Sequence, residues 1–339
     1  MAFVYLSCAG TREIHSFRLD AATGALAPLD STPVPGSDGP SPSNMPLAFG
    51  PGGTRLYAAL RSPPFAAASF AVDRASGRLA ALGTATLSAP MAYVSVADGG
   101  RLLLGASYKE GRISVSRIGA DGVVEALPTQ VLVTPPKAHC IVSGRDGTVY
   151  ASTVEGDAIL VFRLDAAAGR LLPAEPPSVA LRPGSGPRHL AFHPQHDVLY
   201  CINELAGTLA AFAVAADGGL RALQYEALTP PGFTGNARAA DLHLTPDGRF
   251  AYASVRNTHE LVGFRVDAAG GLALVGRFPA EKSPRGFNID PSGRWLLCAG
   301  QEERTLAVYE IDPASGALAF RHRRQVAENP QWVEVLPQP

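Results

Sequence analysis

Residues 185–205, SGPRHLAFHPQHDVLYCINEL, read as two short β-strands and the turn between them. Arg188-His189-Leu190-Ala191-Phe192 forms the first strand and His193-Pro194-Gln195-His196-Asp197 turns the chain. The strongly apolar Leu199–Ile202 forms the second strand, closed by Asn203 and Glu204. Antiparallel pairing sets the start of one strand beside the end of the next, so Arg188, His189, Asn203 and Glu204 are expected at one edge of a sheet. A base, a carboxylate and guanidinium nitrogen gathered there suit chemistry better than architecture.

The pattern recurs. The second residues of the apolar second strands are Tyr5, Tyr57, Leu103, Tyr150, Tyr200, Tyr252 and Leu297, with gaps of 52, 46, 47, 50, 52 and 45 residues. A period of this size built from strands without helices predicts a propeller. Third strands such as Ile159–Leu164 and Leu306–Ile311 run into near-identical turns, DAATGAL from Asp20, DAAAGRL from Asp165 and DPASGAL from Asp312. Asp caps its own backbone in such turns and Gly accepts positive φ. Met1–Cys8 has no first-strand partner before it, and Trp332–Leu336 has a first-strand pattern with nothing after it. The two ends are therefore expected to share a blade and close the ring. The sequence predicts an all-β, seven-bladed propeller of four antiparallel strands per blade, a single domain over 1–339. The low-complexity stretch Asp30–Ser43 is expected as a surface connection and Leu228–Ala239 as part of an entrance rim.

Composition narrows the function classes. The net charge is −1 with no run of like charges, which argues against a nucleic-acid or anionic-membrane surface. The longest apolar runs are far too short for a membrane span. The N-terminus shows neither a basic segment nor a long apolar one, so a cytoplasmic protein is expected. Cys8, Cys140, Cys201 and Cys298 stand singly inside strands and read as reduced core thiols.

Counting within each repeat locates a mouth. Ten residues before the second strands lie Pro46, Ala92, His139, His189, Asp241 and Gly286, preceded by Met45, Met91, Ala138, Arg188, Ala240 and Arg285. Fifteen residues beyond the first set lie Arg61, Ser107, Val154, Glu204, Arg256 and Gln301. The polar members of these rings are expected to surround one end of the central channel, where propellers bind small molecules. Four arginines around one opening call for an anionic ligand, or for Glu204 and Asp241, to offset their repulsion. His193, His196, His259 and His322 are expected to be solvated, and His243 to be a satisfied channel histidine facing the side of Asp241. His139, His189, Asp241 and Glu204 lack metal-ligand spacing, so neither a metal nor another cofactor is expected. No nucleophile elbow, P-loop, H-E-x-x-H or dinucleotide fingerprint occurs. General acid–base chemistry with arginine stabilisation of an anion remains.

Gly186-Pro187-Arg188-His189, Tyr200–Leu205, Ala240–Gly248, Ser283–Asn288 and Ala299-Gly300-Gln301 resemble, in order and over essentially the whole chain, the lactonase-type seven-bladed propellers. That family contains the bacterial propeller 6-phosphogluconolactonases and the fungal carboxymuconate-lactonizing enzymes. The resemblance implies a catalytic set of His139, Arg188, Glu204 and Arg256, with either Glu204 or His139 as base. Arg61, Ser107, His189, Asn203, Asp241, Arg285 and Gln301 are the candidate substrate-binding residues around it. The implied reaction is metal-independent hydrolysis of a sugar-acid lactone, foremost 6-phosphogluconolactone in the pentose phosphate pathway. An aldarate lactonase, a carboxymuconate-type cycloisomerase and a non-catalytic ligand-binding propeller are the alternatives. The expected partner is a small anionic lactone, with no nucleic acid or membrane, and the chain as a monomer or weak homodimer. Ser107-Tyr108-Lys109 departs from the family pattern in a region expected near the substrate's distal group.

Overall fold

In the computed structural model, which describes residues 1–40 and 43–338, twenty-eight strands form seven four-stranded antiparallel sheets. Two single turns of 3₁₀ helix, Pro51–Gly53 and Asp98–Gly100, are the only helical elements among the described residues. The seven sheets are the blades of a β-propeller.

The inner strands of blades two to seven are Leu47–Phe49, Tyr93–Ala97, Ala138–Ser143, Pro187–Phe192, Ala239–Leu244 and Pro284–Ile289. Blade one takes its inner strand, Pro330–Pro337, from the C-terminal end of the chain and pairs it with Ala2–Cys8, in the register Phe3↔Leu336 and Tyr5↔Glu334. The ring is therefore closed by backbone hydrogen bonds between the two ends of the sequence, as the unpaired patterns at those ends predict.

Second strands such as Val198–Asn203 and Phe250–Val255 are buried along their whole length. This explains their continuous apolar character, since both faces lie against neighbouring blades. Outer strands such as Leu220–Ala227 are mostly exposed. Four of the repeat tyrosines staple one blade to the next. Tyr5, Tyr150, Tyr200 and Tyr252 each donate a hydrogen bond of 2.8–2.9 Å to the carbonyl of Gly77, Gly218, Gly270 or Gly316 in the following blade's outer turn. Where the repeat has Leu103 or Leu297 instead, Thr129 and His322 supply the bond, to Gly169 and Gly24. At Gly77, with φ of 76°, a Cβ would lie 2.4 Å from the Phe3 ring, so close approach and backbone both require glycine there.

One expectation changes. His193 is buried, not solvated. Its Nδ1 accepts the N–H groups of Gln195 and His196, and its Nε2 donates to the Gly248 carbonyl of the next blade. The turn's free N–H groups need an acceptor, and the imidazole is the one at hand. His259 and His322 likewise hold backbone groups, Ser283 N and Gly24 O. In the low-complexity stretch, the Ser37 and Gly39 carbonyls accept from Arg12, while Ser41 and Pro42 lie outside the described residues. The four cysteines are free and buried.

Truncation before Gln331 removes the closing strand's pairing with Ala2–Cys8. The shortened protein is expected to melt well below the full chain in a single broadened transition; equal melting temperatures would show that closure does not support the ring.

Candidate active site

The mouth is organised by two backbone devices repeated from blade to blade. The residue immediately before each of five inner strands is left-handed: Lys137 (φ 65°), Gly186 (67°), Arg238 (52°), Ser283 (54°) and Asn329 (57°). Its carbonyl accepts the N–H of the residue just past the second strand, pairing Lys137 with Val154, Gly186 with Glu204, Arg238 with Arg256, and Ser283 with Gln301. Glu204 and Arg256 are thus fixed at the backbone before their side chains make any contact. Four of these corners carry non-glycine residues, a local strain of a kind that gathers at functional sites.

A β-bulge follows each corner. Pairing runs Ala138↔Thr153 then Cys140↔Ser152, which leaves His139 as an extra residue. The same shift occurs between Pro187 and Leu190, between Ala239 and Leu242, and between Pro284 and Gly286. Arg188, His189, Ala240, Asp241 and Arg285 therefore lie in bulges. Bulges re-aim side chains and strengthen local twist. Backbone groups freed there are met by buried serines: Ser152 accepts the Cys140 N–H and donates to the Arg188 carbonyl, and Ser254 accepts the Asp241 N–H.

These devices bring Arg61, Tyr108, His139, Arg188, Glu204, Arg238, Arg256 and Arg285 around one cavity of about 210 Å³. A larger groove of about 680 Å³ between blades six and seven is lined by turns at the other end of the strands, and its charges are already paired, Arg249 with Asp247 and Arg294 with Glu310. At the cavity's centre Glu204 bridges two guanidiniums, with Oε2 3.0 Å from Arg188 Nε and Oε1 2.7 Å from Arg256 Nη2. Arg188 also donates to the Ala240 carbonyl, and Arg256 Nε to the Arg238 carbonyl at 2.9 Å. Burial alone would raise the Glu204 pKa, but Arg188 and Arg256 hold it below the usual carboxylate range. Burial and the neighbouring Arg188 bring Arg256 down to about 10. Arg285 is pushed well below the ordinary arginine value by burial and by Arg188 and Arg256, and Arg61 is lowered by burial and Arg188.

His139 is 4% exposed and packs edge-on against Tyr108, whose ring Lys137 covers at 4.8 Å. Burial, then Arg188, holds the His139 imidazole neutral, well below its ordinary pKa. Its Nδ1 is buried without a partner, which leaves Nε2 as the nitrogen that reaches the cavity.

Below the cavity the channel continues through His189, Asp241 and His243. His189 Nδ1 lies 2.7 Å from Asp241 Oδ1, and His243 Nε2 lies 3.4 Å from Asp241 Oδ2. Burial opposes the Asp241 charge, yet the two histidines keep its pKa well below the carboxylate range. Asp241 in turn overcomes burial to raise that of His243, the satisfied channel histidine the sequence suggests. His189 is lowered to about 4 by burial and Arg188, despite Asp241.

The structure does not place every candidate in the cavity wall. Ser107 donates to the Pro90 carbonyl, Asn203 bonds Thr208, and Gln301 bonds Asn329. His189 and Asp241 turn down the channel. Arg238, absent from the counted rings, enters from the Leu228–Ala239 loop. Its signal in the sequence is its place in the repeat, the corner position that Gly186 fills one blade earlier.

The sequence model of the family described as lactonase, 7-bladed beta-propeller, matches residues 3–335. The chain belongs to this family. Among this lactonase's relatives, the 6-phosphogluconolactonase of Serratia proteamaculans is 39% identical over 337 residues, 98% of each chain. That of Pectobacterium carotovorum is 36% identical over 336 residues, again 98% of each. The periplasmic gluconolactonase of Pseudomonas aeruginosa superposes with a TM-score of 0.89 at 30% identity, covering 100% of the lactonase and 99% of that chain. No helix among the described residues is long and apolar enough to cross a membrane.

The depressed His189 pKa carries a stability consequence. An unfolded histidine takes up its proton near pH 6.5 and the folded one only near 4, so stability is complete above pH 6.5 and is lost as pH falls through that window. The loss from this residue amounts to roughly 3 kcal/mol. The melting-temperature advantage of the parent over His189→Gln is therefore expected to shrink between pH 7.5 and 4.5; an advantage constant with pH would contradict it.

Proposed function

We propose that this lactonase hydrolyses 6-phosphogluconolactone to 6-phosphogluconate, with residues 1–339 acting as one catalytic domain. The observation that carries the reading is the charge of the cavity: five arginines line it with one carboxylate. Glu204 is shared between Arg188 and Arg256, and Arg61, Arg238 and Arg285 have no carboxylate partner among the described residues. Guanidiniums without counter-charge suit a phosphate dianion, and relatives over the full length carry the corresponding name. Four free thiols and a phosphorylated metabolite suit the cytoplasm.

His139 is the base. Both oxygens of Glu204 are held by arginines, which weakens it as a proton acceptor, whereas His139 is neutral and presents Nε2 to the cavity. A water deprotonated by His139 attacks the lactone carbonyl. The N–H groups of Arg188 and Arg256 left over from the Glu204 clamp stabilise the tetrahedral oxyanion. Glu204 holds those two guanidiniums in place, and Arg61, Arg238 and Arg285 take the phosphate. Hydrolysis of a ring ester by these groups calls for no metal.

His139→Asn is expected to lower kcat by about 10²–10⁴. Arg61→Ala and Arg285→Ala are expected to raise KM for 6-phosphogluconolactone about tenfold or more, with little change on unphosphorylated gluconolactone. Rates are compared after subtraction of spontaneous hydrolysis. Equal losses on both lactones would remove the phosphate assignment and favour an aldarate-type substrate. Exhaustive chelation is expected to leave the rate unchanged; loss restored by one divalent ion would overturn the metal-free reaction.

A further inference from the structure

Two nitrogens on neighbouring rings beneath the cavity are orphaned. His139 Nδ1 and His189 Nε2 are both buried with no hydrogen-bond partner, and their rings lie 5.1 Å apart between centroids at 59°. Buried polar atoms are almost always paired, so each such orphan asks for an explanation. Here one orphan answers the other.

We infer that Asp241 and His189 form a buried positioning relay for His139: Asp241 fixes His189, and His189 accepts the Nδ1–H of His139, so that the Nε2 lone pair of His139 faces the cavity. This rests on the reading of His139 as the base. The relay begins at the carboxylate. Asp241 Oδ1 accepts the Leu242 N–H at 2.9 Å and Oδ2 the Phe287 N–H at 3.0 Å, and His243 lies against Oδ2. An ionised carboxylate only accepts, so the nitrogen 2.7 Å from it, His189 Nδ1, carries the proton. A neutral His189 then has a bare acceptor at Nε2. Besides His139, the rings packed against it are Tyr93 and Trp332, and their donors are engaged. Trp332 Nε1 donates to Glu334, Asn288 Nδ2 to the Val333 carbonyl, and the Tyr93 hydroxyl meets the Cys140 thiol. The nitrogen left is His139 Nδ1. A small rotation of the ring, or one bridging water, completes the bond at this separation.

The arrangement explains how a histidine under three arginines can serve as a base. The attacking water passes a proton to His139 Nε2 as its oxygen bonds to the carbonyl carbon. The ring C–O bond then breaks and the departing oxygen takes that proton back. His189 and Asp241 keep their protonation throughout. They hold the tautomer and set one negative charge behind the transient imidazolium, opposite the guanidiniums of Arg61, Arg188 and Arg285.

The test reads the tautomer directly. In the full chain with ¹⁵N-labelled histidine at neutral pH, the His139 resonances, assigned by their loss in His139→Asn, are expected to show a protonated Nδ1 and a bare Nε2. A proton on Nε2 would overturn the relay. Asp241→Asn presents an amide that can donate to His189 Nδ1, which reverses His189 and moves the His139 proton to Nε2. That variant is expected to switch the tautomer signature and to lose about 10²–10⁴ in kcat with KM nearly unchanged; parental kcat would refute the relay. The parent spectrum decides the question even if the variant does not fold. Failure here is distinct from failure of the base assignment. A wrong tautomer with an inactive His139→Asn removes the relay alone, whereas the expected tautomer with a fully active His139→Asn removes the base.

Discussion

A β-strand that alternates strictly cannot send two successive residues into the same opening. The site depends on the way this chain escapes that constraint. In blades four to seven an extra residue near the start of the inner strand breaks the alternation, so Arg188 leans into the cavity while His189, next in sequence, turns down the channel to Asp241. The left-handed corner before each bulge then anchors the end of the neighbouring strand. Glu204 and Arg256 consequently meet as a clamped pair, where free strand ends would fray.

Such placement is useful only on a scaffold that does not breathe, and the scaffold is braced around its circumference. The tyrosine-to-glycine bonds link the second strand of one blade to the outer turn of the next, well away from the mouth. Where leucine occupies the tyrosine position, a fourth-strand side chain takes over, at Thr129 and His322. The bond is kept while the residue that makes it changes, which suggests that the geometry matters more than the donor.

Much of this was legible in the sequence. The seven-fold period, the turn copies and the unpaired ends dictate the propeller and its closure, because each follows from strand alternation and backbone pairing alone. The rings of equivalent positions likewise bring out Arg61, His139, Arg188, Glu204, Arg256 and Arg285. Counting fails where direction matters. Ser107, Asn203 and Gln301 hold the right places, yet each side chain spends its hydrogen bonds on a neighbouring loop or strand. The bulges shift His189 and Asp241 from the wall to the channel, and no residue type announces a bulge. Arg238 escaped because it belongs to a loop, and only the shared corner conformation reveals it as the counterpart of Gly186.

The excess of guanidinium over carboxylate has a consequence for what happens after the ring opens. The proposed phosphorylated lactone carries charge on the phosphate alone; its hydrolysis creates a carboxylate as well. The same wall that would draw the substrate in would therefore grip the product harder, and among the described residues Glu204 is the one carboxylate in the cavity that competes for those arginines. A doubly anionic product must then be surrendered to water. Leaving such a site, the product has more ion pairs to break than the substrate formed on entering.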